Sequence, residues 1–252
     1  MKWVKVRRTI LDYRCIVTSS WGDGNKLDLK LANILQKYKV KATFFVPIHF
    51  LTQPLSKNDL ITLSRHFEIG SHTLTHPTLT KIPSNKAYYE IAESKATLEN
   101  ILDRKIYGFS YPKGAYDGET IKCVKKAGYV YARTTERMRI MVSDPYQMGV
   151  TVQVYPSWRP SYLYVKGIQK AATITKNIAS LKNVFNWLAH AKLMFDYVYA
   201  RGGVWHLFGH SWQIQKYNMW NDLEKILRYV AKRKDVLYLT NYEAVKCMTK
   251  RY

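Results

Sequence analysis

The sequence predicts a parallel α/β fold, and two observations carry the prediction. Short β-rich runs alternate with helical runs about seven times along the 252 residues, the pattern of strands joined by helical crossovers rather than hairpins. The residues equipped for chemistry fall just after predicted strands, where a barrel places its site. At this stage the sheet is either a closed barrel or doubly wound. No linker, low-complexity tract or glycine-rich dinucleotide fingerprint interrupts the pattern, so residues 1–252 are expected to form one domain. With 47% hydrophobic residues the chain can bury one sizeable core.

The elements follow in order. Cys15–Ser20 reads as a strand, and Leu27, Leu31, Ile34, Leu35 and Tyr38 recur at helical spacing. Ala42–Val46 is the next strand, stopped by Pro47. A helix near Asp59–Phe67 leads to a short strand ending at Ser71. Ser84 is placed to cap a long helix with Ala87, Ile91, Leu98, Ile101 and Leu102 on its apolar face. Ile106–Tyr111 is a strand, Asp117 caps a helix ending at Gly128, and Tyr129–Thr134 and Val150–Tyr155 are strands. A helix from about Ser180 to Ala200 precedes the strand Val204–Phe208. The helix Asn221–Lys232 and the strand Val236–Leu239 follow, and Thr240-Asn241-Tyr242-Glu243 is a capping box for a last helix. Between them, Arg137–Gln169 is irregular and holds Trp158, Arg159, Pro160, Tyr162 and Tyr164, aromatics suited either to stacking on sugar rings or to covering one end of the sheet.

The net charge is +22, from 40 Lys+Arg against 18 Asp+Glu. It fits an anionic partner or, equally, simple solubility. Cys15, Cys123 and Cys247 form an odd, scattered set without a C-x-x-C and read as free, packed thiols. The basic start Met1–Arg8 is followed by no apolar stretch, because Asp12, Arg14 and Ser19 interrupt it. No run reaches the roughly 18 apolar residues of a membrane span. These features lead to the expectation of a cytoplasmic protein.

His72-Thr73-Leu74-Thr75-His76 sets two imidazoles one helical turn apart, a spacing that can close on one divalent metal. The spacing is weak by itself. Its company is Asp23, in Ser20-Trp21-Gly22-Asp23-Gly24, and the run Phe109-Ser110-Tyr111-Pro112-Lys113-Gly114-Ala115-Tyr116. Asp23, His72 and His76 supply the three N/O ligands of an open divalent-metal site. For each of the three the alternative is an ordinary turn, cap or packing residue.

With these motifs the chain resembles the NodB-type polysaccharide deacetylases, carbohydrate esterase family 4. The family's first motif reads T-F-D-D-G or S-W-D-D-G, its second H-[ST]-x-x-H, and its third has a variant F-x-Y-P-x-G-x-Y. The resemblance runs from about Cys15 to Arg133 and resumes at Gly202–Leu239. It implies a distorted (β/α) barrel of about seven strands. Asp23, His72 and His76 would hold Zn²⁺, with Co²⁺ or Ni²⁺ as alternatives. The ion would polarise an acetamide carbonyl and acidify water. The backbone N–H of Lys113 would complete an oxyanion hole, and a later histidine would protonate the leaving amine. That histidine is His210 or His206, two residues that a strand would turn to the same face. His210 is preferred as nearer the C-terminal end, and His206 is otherwise a hydrogen-bonded interior residue.

Two positions depart from the family pattern. Gly22 stands where the family has its catalytic-base Asp, and Ser110 stands where many members have Arg. Arg133, on the next predicted strand, is placed either to supply that charge or to form a rim salt bridge. The implied substrate is a carbohydrate bearing N-acetyl groups: a polymer or a nucleotide- or lipid-linked precursor, anionic if the +22 charge is functional. Two other readings compete. One is a carbohydrate-binding pseudoenzyme that keeps metal and groove without a base. The other is nucleic-acid binding, which rests on charge alone and ranks last, because no nucleic-acid motif is present.

Overall fold

A computed structural model describes residues 15–50, 52–156 and 186–249. The strands β1 (Cys15–Gly22), β2 (Thr43–Val46), β3 (Glu68–Ser71), β4 (Gly108–Ser110), β5 (Tyr131–Arg133), β6 (Val152–Gln153), β7 (Gly203–Gly209) and β8 (Val236–Tyr238) form one parallel sheet. The path runs β5-β4-β3-β2-β1-β7-β6, with β8 beside β1. Helices α1 (Asp28–Tyr38), α2 (Lys57–Ser64), α3 (Ser84–Leu102), α4 (Gly118–Lys126), α5 (Trp187–Arg201), α6 (Ser211–Lys216), α7 (Trp220–Val230) and α8 (Asn241–Thr249) complete the described elements.

β1 is the axis of the sheet and is buried along its whole length. β7 pairs with it from Cys15 to Trp21, so β8 and β2 share its other edge: β8 takes Cys15–Val17 and β2 takes Ser20–Gly22. A strand covered on both faces reads as a continuous apolar or small-residue run, as Cys15-Ile16-Val17-Thr18-Ser19-Ser20-Trp21-Gly22 does. The two ends of the path meet through one segment. Met148 accepts from Thr134 N–H at 2.8 Å and donates to Ala132 O at 2.9 Å beside β5. The same segment then reaches β7 through Thr151 N–H to His206 O and Val154 N–H to Phe208 O. The sheet therefore curls into a distorted barrel, the form the sequence implied.

The helices cover the sheet through the apolar stripes read from their spacing, with Leu31 and Leu35 of α1 and Ile91 and Leu98 of α3 fully buried. α2 is closed by reciprocal bonds between Ser56 and Asp59, and α4 by Asp117 and Thr120. The Thr240/Glu243 box is formed at 2.8 and 3.3 Å. Ser84 does not cap α3. It is the first helical residue, Pro83 precedes it at the cap position, and its hydroxyl donates instead to Glu119 of α4. All three cysteines are free thiols. The basic start, the aromatics at 158–164 and the expected helix start near Ser180 lie outside the described residues. Among the described residues no helix is long and apolar enough to cross a membrane.

Candidate metal centre

Asp23 is the first residue after β1 and adopts φ 77. The turn needs Gly24 behind it: Gly24 has φ 63, and a Cβ there would stand 2.8 Å from Val46 Cγ1. His72 follows β3 directly, but the stretch from His72 to His76 is not helical, contrary to the spacing argument. Thr73 and His76 have φ 70 and 59, and Thr73 Oγ1 accepts from His76 N–H at 3.0 Å. Glu90 of α3 accepts from Leu74 N–H and Thr75 N–H, both at 2.9 Å, and pins this loop to the barrel wall. Left-handed backbone at Asp23, Thr73, His76 and Lys113 concentrates strain on one rim, as functional sites often do.

The loop brings the two His Nε2 atoms to 3.1 Å of each other, with Asp23 Oδ1 at 3.6 Å from His76 and 3.8 Å from His72. An ion bonded to three such ligands at about 2.0–2.1 Å in tetrahedral geometry separates them by about 3.3 Å, so the three fit a divalent metal. The donor chemistry agrees. Burial, together with the charges of His76 and Arg133, holds the His72 imidazole well below its ordinary pKa. Burial does the same for His76, against the pull of Asp23. Neutral rings offer lone pairs. His72 Nδ1 lies 2.7 Å from Ser110 O, which assigns the proton to Nδ1 and leaves Nε2 facing Asp23. Trp212 Nε1–H donates to Asp23 Oδ2 at 2.9 Å and orients the carboxylate. His76 lacks such a partner at Nδ1 and is steadied instead by stacking on Phe50 at 4.2 Å.

A cavity of about 580 Å³ opens over these residues and is also lined by Lys113, Arg133, Tyr155 and His210. His210 sits just past the end of β7 and leads into α6. Its Nδ1 meets Gln213 Oε1 at 2.8 Å, and its Nε2 lies 3.8 Å from Asp23 Oδ2. Burial lowers its pKa, partly offset by Asp23 and Gln213. His206 lies within β7 and does not line this cavity. Both its ring nitrogens are engaged, by Gly149 O at 3.0 Å and Ser20 Oγ at 2.8 Å. Lys113 reaches across the rim to Thr78 Oγ1 at 3.1 Å.

Arg133 is not a rim salt bridge. It is 1% exposed, its guanidinium packs over Phe208 at 4.3 Å and Phe45 at 5.2 Å, and its Nε and Nη2 have no hydrogen-bond partner. Burial lowers its pKa to about 10. The partners that sequence reasoning missed are Trp212, Gln213, Glu90 and Phe50. The first two sit on α6, which is too short to show a periodic pattern.

Beneath the site, Asp28 in the first turn of α1 is fully buried beside Ser211, and among the described residues neither carboxyl oxygen is in a well-formed hydrogen bond. Burial raises its pKa to about 8, a rise that neighbouring Ser211 only partly offsets. The folded state thus keeps a proton that the unfolded chain releases near pH 4. Asp28 therefore costs stability progressively as pH rises from about 4 through about 8. Asp28→Asn is expected to stabilise the protein by on the order of a few kcal/mol at pH 9 and by little at pH 4. Melting temperatures across that range decide it, and parallel profiles for the two proteins would contradict the assignment.

The (β/α) barrel thus carries, at the C-terminal ends of its strands, an Asp-His-His group that could hold a metal ion. Residues 16–132 match the family model of polysaccharide deacetylases. The Bacillus subtilis (strain 168) protein "Putative polysaccharide deacetylase YxkH" is 34% identical over 110 residues, 41% of this chain and 38% of that relative. The matched stretch thus spans about two fifths of that relative's length. A Mycobacterium smegmatis structure, "putative polysaccharide deacetylase", superposes with a TM-score of 0.64 at 16% identity, covering 95% of this chain and 92% of that one. A mutant of a carbohydrate esterase family 4 pseudoenzyme with restored activity superposes at 0.56 and 15% identity, covering 91% of this chain and 67% of that one. Over residues 16–132 the chain is thus similar to the polysaccharide deacetylases, and its fold is the one these solved structures share.

Proposed function

We propose that the protein is a metal-dependent deacetylase that removes the N-acetyl group from an N-acetylated sugar or polysaccharide, at a rate limited by the glycine at position 22. The observation that carries this reading is the Asp23–His72–His76 cradle with His210 3.8 Å from Asp23 on the same cavity. A divalent ion, Zn²⁺ in the first instance and Co²⁺ or Ni²⁺ otherwise, supplies Lewis-acid polarisation of the acetamide carbonyl and acidifies an attacking water. The protein's own residues do the rest. His210 presents Nε2 to the cavity while Gln213 holds Nδ1, the arrangement of a group that hands a proton to the leaving amine. The backbone N–H of Lys113 is assigned to the oxyanion, on a residue whose positive φ re-aims the peptide at the rim. His206 is given a structural role, since Gly149 and Ser20 hold both its nitrogens.

Gly22 supports a second reading, a carbohydrate-binding pseudoenzyme that keeps the metal. A structural neighbour is described as a mutant pseudoenzyme with restored activity, and this chain lacks a side chain at the position expected for the base. Acetate release from N-acetylglucosamine oligomers with added Zn²⁺ or Co²⁺ separates the two. Metal-dependent release supports the deacetylase. Oligomer binding without release in this chain supports the binding protein, whether or not Gly22→Asp restores release.

A further inference from the structure

A second cavity lies at the opposite end of the barrel from the metal cradle. β2, β3 and β4 are parallel neighbours, so the loops that enter them share one rim. Each of those loops contributes cations to it: Lys41 before β2, Arg65 before β3, and Arg104 and Lys105 before β4. These four line a cavity of about 310 Å³ together with Tyr107 and Tyr242. The two tyrosine rings stack at 4.3 Å with only 7° between their planes and make one flat wall.

Four cations face two carboxylates, Glu68 and Glu243, on this wall, so the cavity carries an excess of positive charge. Among the described residues none of the four cations has a carboxylate within ion-pair distance. Arg104 bonds only the carbonyl of Ser64, at 2.7 Å. The two acids on the same wall offset part of that charge but are held by neutral donors rather than by the cations. Glu68 accepts from Thr43 Oγ1 and Tyr131 OH, both at 2.7 Å, and Glu243 caps α8 through Thr240 N–H. Four cations against two carboxylates leave a net positive concavity, and a multiply charged anion lowers the remaining repulsion. Guanidinium forks beside compact ammonium groups are the donor set that suits phosphoryl oxygens. The volume is at the lower end for a small-molecule site.

We propose that this cavity binds the phosphoryl group of a small phosphorylated ligand, of sugar-phosphate or nucleotide size, independently of the metal centre. Arg65 and Lys105 carry the test, because among the described residues neither side chain makes a hydrogen bond whose loss would disturb the fold. Inorganic pyrophosphate and glucose 6-phosphate are titrated calorimetrically into metal-free protein. Both are expected to bind. Binding should persist in His72→Ala/His76→Ala. It should weaken by about tenfold or more in Arg65→Ala/Lys105→Ala, the scale of one charge-assisted hydrogen bond, with the melting temperature unchanged. The surface pair Lys122→Ala/Lys225→Ala, on α4 and α7, should bind as the parent does. Three results would each overturn the proposal: equal weakening in both lysine-bearing pairs, loss of binding with the histidines, or binding to phosphatidylglycerol vesicles without binding of either small phosphate.

Discussion

Gly22→Asp is expected to raise metal-dependent acetate release by about 10²–10⁴, the usual contribution of a positioned acid–base group. The structure supports the gain from three sides. Gly22 lies at the end of β1 and is not among the glycines in the left-handed region, so an aspartate can adopt its backbone. A Cβ there would point into the cavity, 3.9 Å from Arg133 Nη2. Arg133 is buried with Nε and Nη2 unpartnered, an expensive arrangement for a guanidinium unless a carboxylate comes to meet it. The introduced side chain would be that carboxylate, held ionised by Arg133 and aimed at water beside the cradle. One adjustment is needed: the Cβ would stand 3.0 Å from His210 Cδ2 and Nε2, so the imidazole must give by a few tenths of an ångström. The substitution also sets a second negative charge beside Asp23, which the ion and Arg133 offset. Equal acetate release from parent and variant, with equal metal content, would show that another group is the base. Gly22→Asn separates the effects, because it fills the same space without a proton acceptor and should stay at the parent's rate.

Much of this site was legible because parallel strands put their C-terminal ends together whatever lies between them. Asp23, His72 and Arg133 each stand at such an end, and their convergence follows from the alternation itself. Ser110 and Arg133 are register partners on β4 and β5, so the two positions are neighbours on adjacent strands. The depth of Arg133 was not legible, because it depends on Phe45 of β2 and Phe208 of β7, two strands distant in sequence. The loop from His72 to His76 misled for a similar reason. A spacing of four suggests a helical turn, but the backbone there is shaped by Glu90, 15 and 16 residues downstream of the amides it binds. The capping of α3 failed on a more local competition. Pro83 takes the cap position and has no N–H to donate in a reciprocal bond, and the Ser84 hydroxyl donates to Glu119 instead.

His72→Ala with His76→Ala is expected to abolish stoichiometric metal in elemental analysis, since Asp23 alone leaves one ligand where an open site needs three. The pair is poised for an ion at some cost. The two Nε2 atoms lie at hydrogen-bond distance, 3.1 Å, and with the His72 proton on Nδ1 the metal-free pair is bridged by a proton on His76 Nε2 that must leave when the ion binds. The parent should gain stability on adding Zn²⁺, and the double variant should not. A graded variant tests whether the cradle is preorganised. Trp212→Phe deletes only the indole donor to Asp23 Oδ2 and keeps an aromatic ring in place, so it should weaken metal binding by about 10–100-fold, the range found when an outer hydrogen bond to a ligand is lost. Unchanged metal content in the double-alanine variant would remove the cradle from the account altogether. Unchanged affinity in Trp212→Phe, with the double variant metal-free, would keep the ligands and reject only the orienting role of the indole.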